Sequence, residues 1–165
     1  MSHCGSCTAC CRIFAIPEID NKPAGQWCQH CAVGVGCRIY QQRPKVCVDF
    51  KCLWLLSRER EDPGEHFPEM LRPDQCKVVF SASTNENIMA ATTMPGSPDA
   101  WQRKPVRKLI DTLVRAGYRV VVGQPASTYR IVFDHRGQRD VKMTPPDQDG
   151  MQWNIPTKGA DDDTE

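Results

Sequence analysis

Cysteine is the residue type through which this chain could do chemistry, and the cysteines are unevenly distributed. Nine of the ten fall between Cys4 and Cys52 of a chain of 165 residues. Thiols packed at such spacing crosslink a chain, bind metal or carry out redox chemistry. The densest run opens the chain and holds four thiols in the pattern Cys4-x2-Cys7-x2-Cys10-Cys11.

Disulfide crosslinking is the first interpretation to weigh. The N-terminus has neither the basic nor the apolar region of a signal peptide, and no apolar run reaches the roughly 18 residues of a membrane span. We therefore expect a cytoplasmic protein without a membrane segment, in a compartment that keeps thiols reduced. Ten cysteines in 165 residues also fall below the roughly 8–10% that is typical of a disulfide scaffold. The pattern favours metal binding.

The spacing suits zinc, which structural sites hold in a tetrahedron of four Cys or His ligands. The pair Cys28-x2-Cys31 repeats the spacing that opens the chain, and such a turn places two sulfurs on one side. The side chains of adjacent Cys10 and Cys11 diverge, so we expect them to serve different metals or one of them to bridge. Ten thiols fill two four-ligand sites with two left over, or one multinuclear cluster. The predicted metal ligands are Cys4, Cys7, Cys10, Cys11, Cys28, Cys31, Cys37, Cys47, Cys52 and Cys76.

An iron–sulfur cluster is the alternative cofactor. Cys4-x2-Cys7-x2-Cys10 has the spacing of the first three ligands of the bacterial ferredoxin run. The fourth ligand of that run would fall where this chain has Phe14, so a remote cysteine would have to complete a [4Fe-4S] cluster. With zinc, the chain is a non-catalytic metal-binding protein. With a cluster, it is a redox module or a cluster-dependent enzyme. We assign no catalytic residue.

Three blocks between residues 4 and 52 form a specific pattern. They are Cys4-x2-Cys7-x2-Cys10-Cys11, Gly36-Cys37-Arg38-Ile39-Tyr40 and Arg43-Pro44-x2-Cys47-x-Asp49-Phe50-x-Cys52. This pattern resembles the YkgJ-like cysteine-cluster family, whose domain is described as zinc- or iron-chelating with a CxxCxxCC signature. The stretches 72–76 and 99–101 also look like longer members of that family. The resemblance implies metal binding through these cysteines and says little about biological role.

The sequence patterns around the thiols predict an α+β fold in one domain over residues 1–156. Residues 1–62 form a loop-rich, metal-ordered Cys-cluster lobe, and residues 63–76 form a proline-rich connector. Residues 77–156 form an α+β lobe, a small antiparallel sheet with one main helix, on which the Cys-cluster lobe packs. Because a lobe of some 80 residues with one helix is marginal alone, we predict a single domain. The acidic tail 157–165 is predicted to be disordered.

Hydrophobic patterns locate the helices and strands. Five apolar residues between 106 and 114 recur at helical spacing, so we predict a helix that kinks or begins at Pro105 and stops at Gly117. A shorter helix is predicted near residues 53–60. Runs of β-branched and aromatic residues predict the strands. These span residues 77–82, 88–92, 118–122, 128–133 and, more weakly, 140–143.

Charge does not favour nucleic acid as a partner. The net charge is +1 and the chain has no long basic stripe. Residues 1–58 nevertheless hold seven basic and three acidic residues. Basic residues beside thiols lower the thiol pKa and offset the negative charge of metal-bound thiolates. We therefore predict that the protein binds metal ions through its thiols and that the surface of the Cys-cluster lobe binds a protein partner.

Overall fold

The N-terminal part of the chain folds into short elements joined by loops. The structure, a computed structural model, describes residues 4–83, 87–143 and 154–156. Its longest N-terminal helix has six residues, too few for a helix to be stable without packing partners. The N-terminal elements are α1 (Cys10–Ile13), β1 (Cys31–Ala32), β2 (Gly36–Cys37), α2 (Lys45–Asp49), α3 (Leu53–Arg58) and α4 (Pro73–Cys76).

A six-stranded sheet and one longer helix form the rest of the described structure. The strands lie side by side in chain order, and the helix α5 (Lys104–Arg115) connects the second strand to the third. The order therefore differs from a simple meander only at this helical connection. The strands are β3 (Val78–Ala82), β4 (Ile88–Thr93), β5 (Arg119–Gly123), β6 (Tyr129–Asp134), β7 (Gly137–Met143) and β8 (Asn154–Pro156).

The predicted α+β fold is confirmed, but the sheet is mixed where we expected an antiparallel one. β4 and β5 run parallel, with Met89 opposite Val120 and Ala91 opposite Val122. The other neighbouring strands of this sheet are antiparallel. The cause is α5, because a helical crossover carries the chain back along the sheet and lets the next strand start in the same direction.

The ends of α5 follow from its sequence. Pro105 lies in the first turn, where its missing N–H breaks no helical hydrogen bond, so the helix begins there and does not kink. The helix stops at Gly117, whose φ of 90° suits glycine. The N–H groups of Gly117 and Tyr118 donate to the carbonyls of Val114 and Leu113, each over 3.0 Å. This pair of bonds is the Schellman termination.

The largest hydrophobic core lies between α5 and the sheet, and we call it the main core. Val106 and Ile110 of α5 are fully buried in it together with Val120 of β5. The rings of Trp101 and Phe133 add a tilted aromatic pair with centroids 5.4 Å apart. All fifteen buried residues of this core lie between residues 71 and 133. The N-terminal part contributes only Leu71 and Cys76 to these buried residues, and its partly buried Leu53, Trp54 and Phe67 pack against them.

The N-terminal part contacts the opposite face of the sheet at β3. Val78 and Phe80 belong to the main core, whereas Val79 between them points to the other face. There Val79 clusters with Ala9 and with Ile13 of α1. The sheet thus packs against α1 and supports the run of cysteines that opens the chain.

Some of the remaining predictions are confirmed and others stay untested. The short helix near residues 53–60 is confirmed as α3, and four predicted strands appear within one residue of their expected ends. The strand predicted over 140–143 is longer and begins at Gly137. The tail 157–165 lies outside the described residues. Over the ranges that are described, no helix has both the length and the apolar character needed to cross a bilayer. The single-domain organisation stays a prediction.

Candidate metal centre

Short turns bring together the two cysteines of each C-x2-C pair, as the spacing predicts. The Cys7 N–H donates to the Cys4 carbonyl over 3.0 Å, and the Cys31 N–H donates to the Cys28 carbonyl over the same distance. The Cys28 N–H also donates to the Cys11 carbonyl over 3.0 Å. The second pair is therefore held beside α1.

Three more cysteines reach this region from other elements. Cys37 ends β2 and lies opposite Cys31 across a two-stranded hairpin. Cys47 belongs to α2, and Cys52 is the residue that precedes the first turn of α3. These positions are loops and ends of short elements, where the backbone is free to bend towards a common centre.

The thiol-bearing elements surround a cavity of about 490 Å³, which we call the thiol cavity. Much of its wall is apolar and includes Phe14, Ile16 and Ile39. A second cavity of about 20 Å³, room for one water-sized ion, lies among Cys-cluster residues and the sheet residue Val79. The cysteines that line the thiol cavity are Cys4, Cys7, Cys10, Cys11, Cys28, Cys37 and Cys47.

Four cysteines line the smaller cavity, and we call them the Cys4 group: Cys4, Cys7, Cys10 and Cys52. Burial, followed by the nearby Cys52 thiol, raises the pKa of Cys4. Burial raises the pKa of Cys7 to about 12 and also raises the pKa of Cys52. Ionised thiolates at such a place repel one another and lack water, so the neutral thiol is favoured until a cation compensates.

A second set of four, the Cys11 group, consists of Cys11, Cys28, Cys31 and Cys47. Hydrogen bonding with the neighbouring Cys10 thiol, and then burial, raise the pKa of Cys11. Burial and the Cys11 thiol raise the pKa of Cys31 to about 12. Burial, followed by the Cys11 and Cys28 thiols, raises the pKa of Cys47. Cys11, Cys31 and Cys47 therefore each lie close to another thiol of this group, and the Cys37 thiol adds to the rise in the pKa of Cys47.

The two groups are neighbourhoods of thiols and not coordination shells. Among the described side chains, no three Cys, His, Asp or Glu residues lie close enough together to hold one metal ion. A zinc ion needs four sulfurs at about 2.3 Å. Forming that shell here requires the cysteine side chains to rotate towards one another.

A buried cation that sequence reasoning missed lies beside the Cys11 group. Lys22 is only 6% exposed, and its Nζ donates to the carbonyls of Pro23 over 3.0 Å, Arg12 over 3.4 Å and Phe14. Burial lowers the pKa of Lys22, and the nearby thiols of Cys28, Cys11, Cys47 and Cys10 oppose that shift. Its environment suits a charge that balances thiolates. No signal in the sequence distinguishes this lysine from a solvated one.

An ion pair at α4 supports the Cys4 group. Arg72 donates from Nε and Nη2 to the two carboxylate oxygens of Asp74, over 2.6 and 2.7 Å. Its Nη2 also donates to Ser6 Oγ over 3.3 Å. The hydrogen bonds from Arg72 lower the pKa of Asp74, which also accepts a hydrogen bond from Cys7. Residues some 66 positions apart are thereby held together at the first C-x2-C turn.

Cys76 lines neither of the two cavities. It is 3% exposed and belongs to the main core. Its Sγ donates to the carbonyls of Val78 and Leu71 over 3.2 and 3.5 Å, and its thiol lies near enough to Cys52 to add to the effect of burial in raising the pKa of Cys52. All ten cysteines are free thiols.

Comparison with known proteins identifies no relative that would assign a role to this site. No family model matches the chain, and no curated protein and no solved structure is significantly similar to it. The chemistry of the thiols must therefore be argued from their own arrangement.

Proposed function

We propose that this protein binds two zinc ions, one in the Cys4 group and one in the Cys11 group. The observation that carries the proposal is the matching composition of the two groups. Each contains one C-x2-C pair, one of the adjacent residues Cys10 and Cys11, and one cysteine from the segment 47–52. Two four-thiol sites also use eight thiols and leave Cys37 and Cys76 over, in keeping with the count from the sequence.

The charges around the thiols support the same proposal. A zinc ion with four thiolates carries a net charge of −2, which nearby cations stabilise. Lys22 lies beside the Cys11 group, and Arg43 lies close enough to Cys4 to lower its pKa against the effect of burial. The resemblance to the YkgJ-like family points to the same ligands. A reducing compartment suits the proposal, because ligating cysteines must stay free of disulfides.

Metal content tests the proposal directly. We expect elemental analysis of protein purified without oxygen to find two zinc ions per chain and no visible absorption band. Cys52→Ser should remove one zinc ion and Cys47→Ser the other, so each variant retains one. Cys37→Ser is the matched control and should retain both. Loss of both ions in either single variant, or loss of one in the control, would contradict the grouping.

A [4Fe-4S] cluster in the Cys4 group is the second candidate. The spacing of Cys4, Cys7 and Cys10 fits three cluster ligands, and Cys52 lines the same small cavity as the remote fourth cysteine. This alternative requires iron and acid-labile sulfide in the anaerobic preparation, with visible absorption that bleaches on reduction. Zinc without sulfide rules it out.

Zinc held by four thiolates keeps no open position for a substrate, so the proposed sites are structural. The bound metal then supplies folding free energy to a lobe whose helices are too short to be stable alone. We propose that the surface ordered in this way binds a protein partner. Four valines of this region, Val33, Val35, Val46 and Val48, are exposed.

A further inference from the structure

The thiol cavity is larger than its metals need. Its volume of about 490 Å³ lies within the range of roughly 300–1,000 Å³ that is typical of small-molecule sites. A zinc ion takes less room than a water molecule, whose share of liquid volume is about 30 Å³. Two metal ions therefore fill only a small part of this volume.

The mouth and the wall of the cavity are apolar. Val35, Val46 and Val48 line it and are 75%, 43% and 48% exposed, so they stand where the cavity meets solvent. Phe14 and Ile39 continue the apolar wall inwards. Water finds few hydrogen-bond partners along such a wall. An apolar chain lowers its free energy by moving from solvent into the cavity.

One buried nitrogen of a charged side chain in the cavity wall lacks a hydrogen-bond acceptor. The Arg43 guanidinium lies over the Tyr40 ring, 3.8 Å from its centroid, and both residues line the cavity. Its Nε is buried without a hydrogen-bond partner, and the ion pairs among the described residues do not include it. A buried donor left in this state costs free energy that an acceptor would recover. The planar fork of an arginine matches the two oxygens of a carboxylate.

We propose that the thiol cavity binds a small apolar carboxylate, whose chain lies along Phe14 and Ile39 and whose carboxylate accepts hydrogen bonds from Arg43. The proposal rests on the proposed function in one respect, since the bound metals order the lobe that forms the cavity. It goes beyond it by assigning this lobe a small-molecule ligand.

Calorimetric titration of the full-length protein with octanoate and with 1-octanol tests the proposal, because the two probes share a chain and differ in charge. Octanoate should bind at one per chain and at least about tenfold more tightly than octanol. Arg43→Gln should weaken octanoate binding about 10- to 100-fold and leave octanol unchanged. Arg38→Gln is the matched control, because Arg38 is exposed and does not line the cavity.

Zinc content, measured on each sample, separates this proposal from the proposed function. Protein that holds two zinc ions but binds octanoate no better than octanol overturns the present proposal alone. Protein without zinc that still binds octanoate through Arg43 overturns the metal proposal alone. If Arg43→Gln loses zinc, Arg43→Lys keeps the charge without the planar fork. Arg43→Lys should then keep zinc and lose part of the preference for octanoate, and an undiminished preference overturns the proposal.

Discussion

Replacing Ile13 with alanine should reveal whether metal folds the N-terminal part. Ile13 is 2% exposed and clusters with Ala9, Val79 and Met94 between α1 and the sheet. The substitution removes three carbon groups, worth about 0.8 kcal/mol each in transfer free energy, and leaves a cavity. Together these cost about 3–4 kcal/mol. In a protein of this size that lowers the Tm by roughly 6–16 °C.

The expected cost depends on metal. If zinc supplies the folding free energy of the lobe, a chelator unfolds the lobe. Ile13 is then already exposed to solvent in the wild-type protein. Ile13→Ala should then cost about 3–4 kcal/mol with zinc bound and less than about 0.5 kcal/mol in chelator. Ile110→Ala is the matched control, because Ile110 is fully buried in the main core, whose buried residues all lie between 71 and 133. Its cost should be the same in both conditions.

Urea unfolding of the wild type and both variants, followed by circular dichroism with zinc and with chelator, gives the free energies of unfolding from which the four costs are calculated. The reasoning is refuted if Ile13→Ala costs as much in chelator as with zinc, because the lobe would then fold without metal. It is also refuted if Ile110→Ala loses its cost in chelator, because the sheet would then depend on the lobe.

Four further predictions concern single groups. The hydrogen bonds from Arg139, at 2.9 and 2.7 Å, lower the pKa of Asp134. The Asp134 carboxylate therefore stabilises the fold at any pH above the unfolded pKa near 3.9, and this stabilisation is lost as the pH falls below that value. Asp134→Asn should cost about 1.5–3 kcal/mol at pH 7 in urea unfolding, and a cost unchanged below pH 3 would speak against this. Lys22→Met should weaken zinc binding about 10- to 100-fold in competition titrations and Lys22→Arg less, whereas equal affinities would show that the cation is irrelevant. Cys76→Ala should keep two zinc ions per chain by elemental analysis, and the loss of one would make this thiol a ligand. Because burial raises the pKa of Cys7 to about 12, zinc uptake at pH 7 should release protons in an unbuffered titration and tighten as the pH rises; uptake without release would contradict the thiol assignment.

Much of the fold follows from local patterns. The period of the apolar residues and Gly117 locate α5, and β-branched runs locate β3 to β6. The direction of β5 does not follow from its own residues, because it is set by the crossover through α5. The strand–helix–strand spacing from β4 to β5 was the available signal for a parallel pair.

The candidate site divides in the same way. The C-x2-C turns follow from spacing. The expected divergence of the Cys10 and Cys11 side chains does not appear, because the two thiols are hydrogen-bonded to each other, and their assignment to different groups stays a proposal. The supporting charges do not follow from spacing. Lys22 is distinguished only by the carbonyls that surround it, and Arg72 meets Ser6 only after the chain has folded. Contacts between residues so far apart in the chain produce no periodic pattern in a single sequence.

The support beneath α1 has a consequence for how the protein is made. Met94 completes the small core around Ile13 and is synthesised about 80 residues later. At roughly 5–20 residues per second, the first cysteines leave the ribosome about 4–16 s before the strands that hold them in place. All eight cysteines of the two groups precede Val79 and Met94 in the chain. Metal can therefore meet a complete set of thiols before the sheet that packs against α1 has been synthesised.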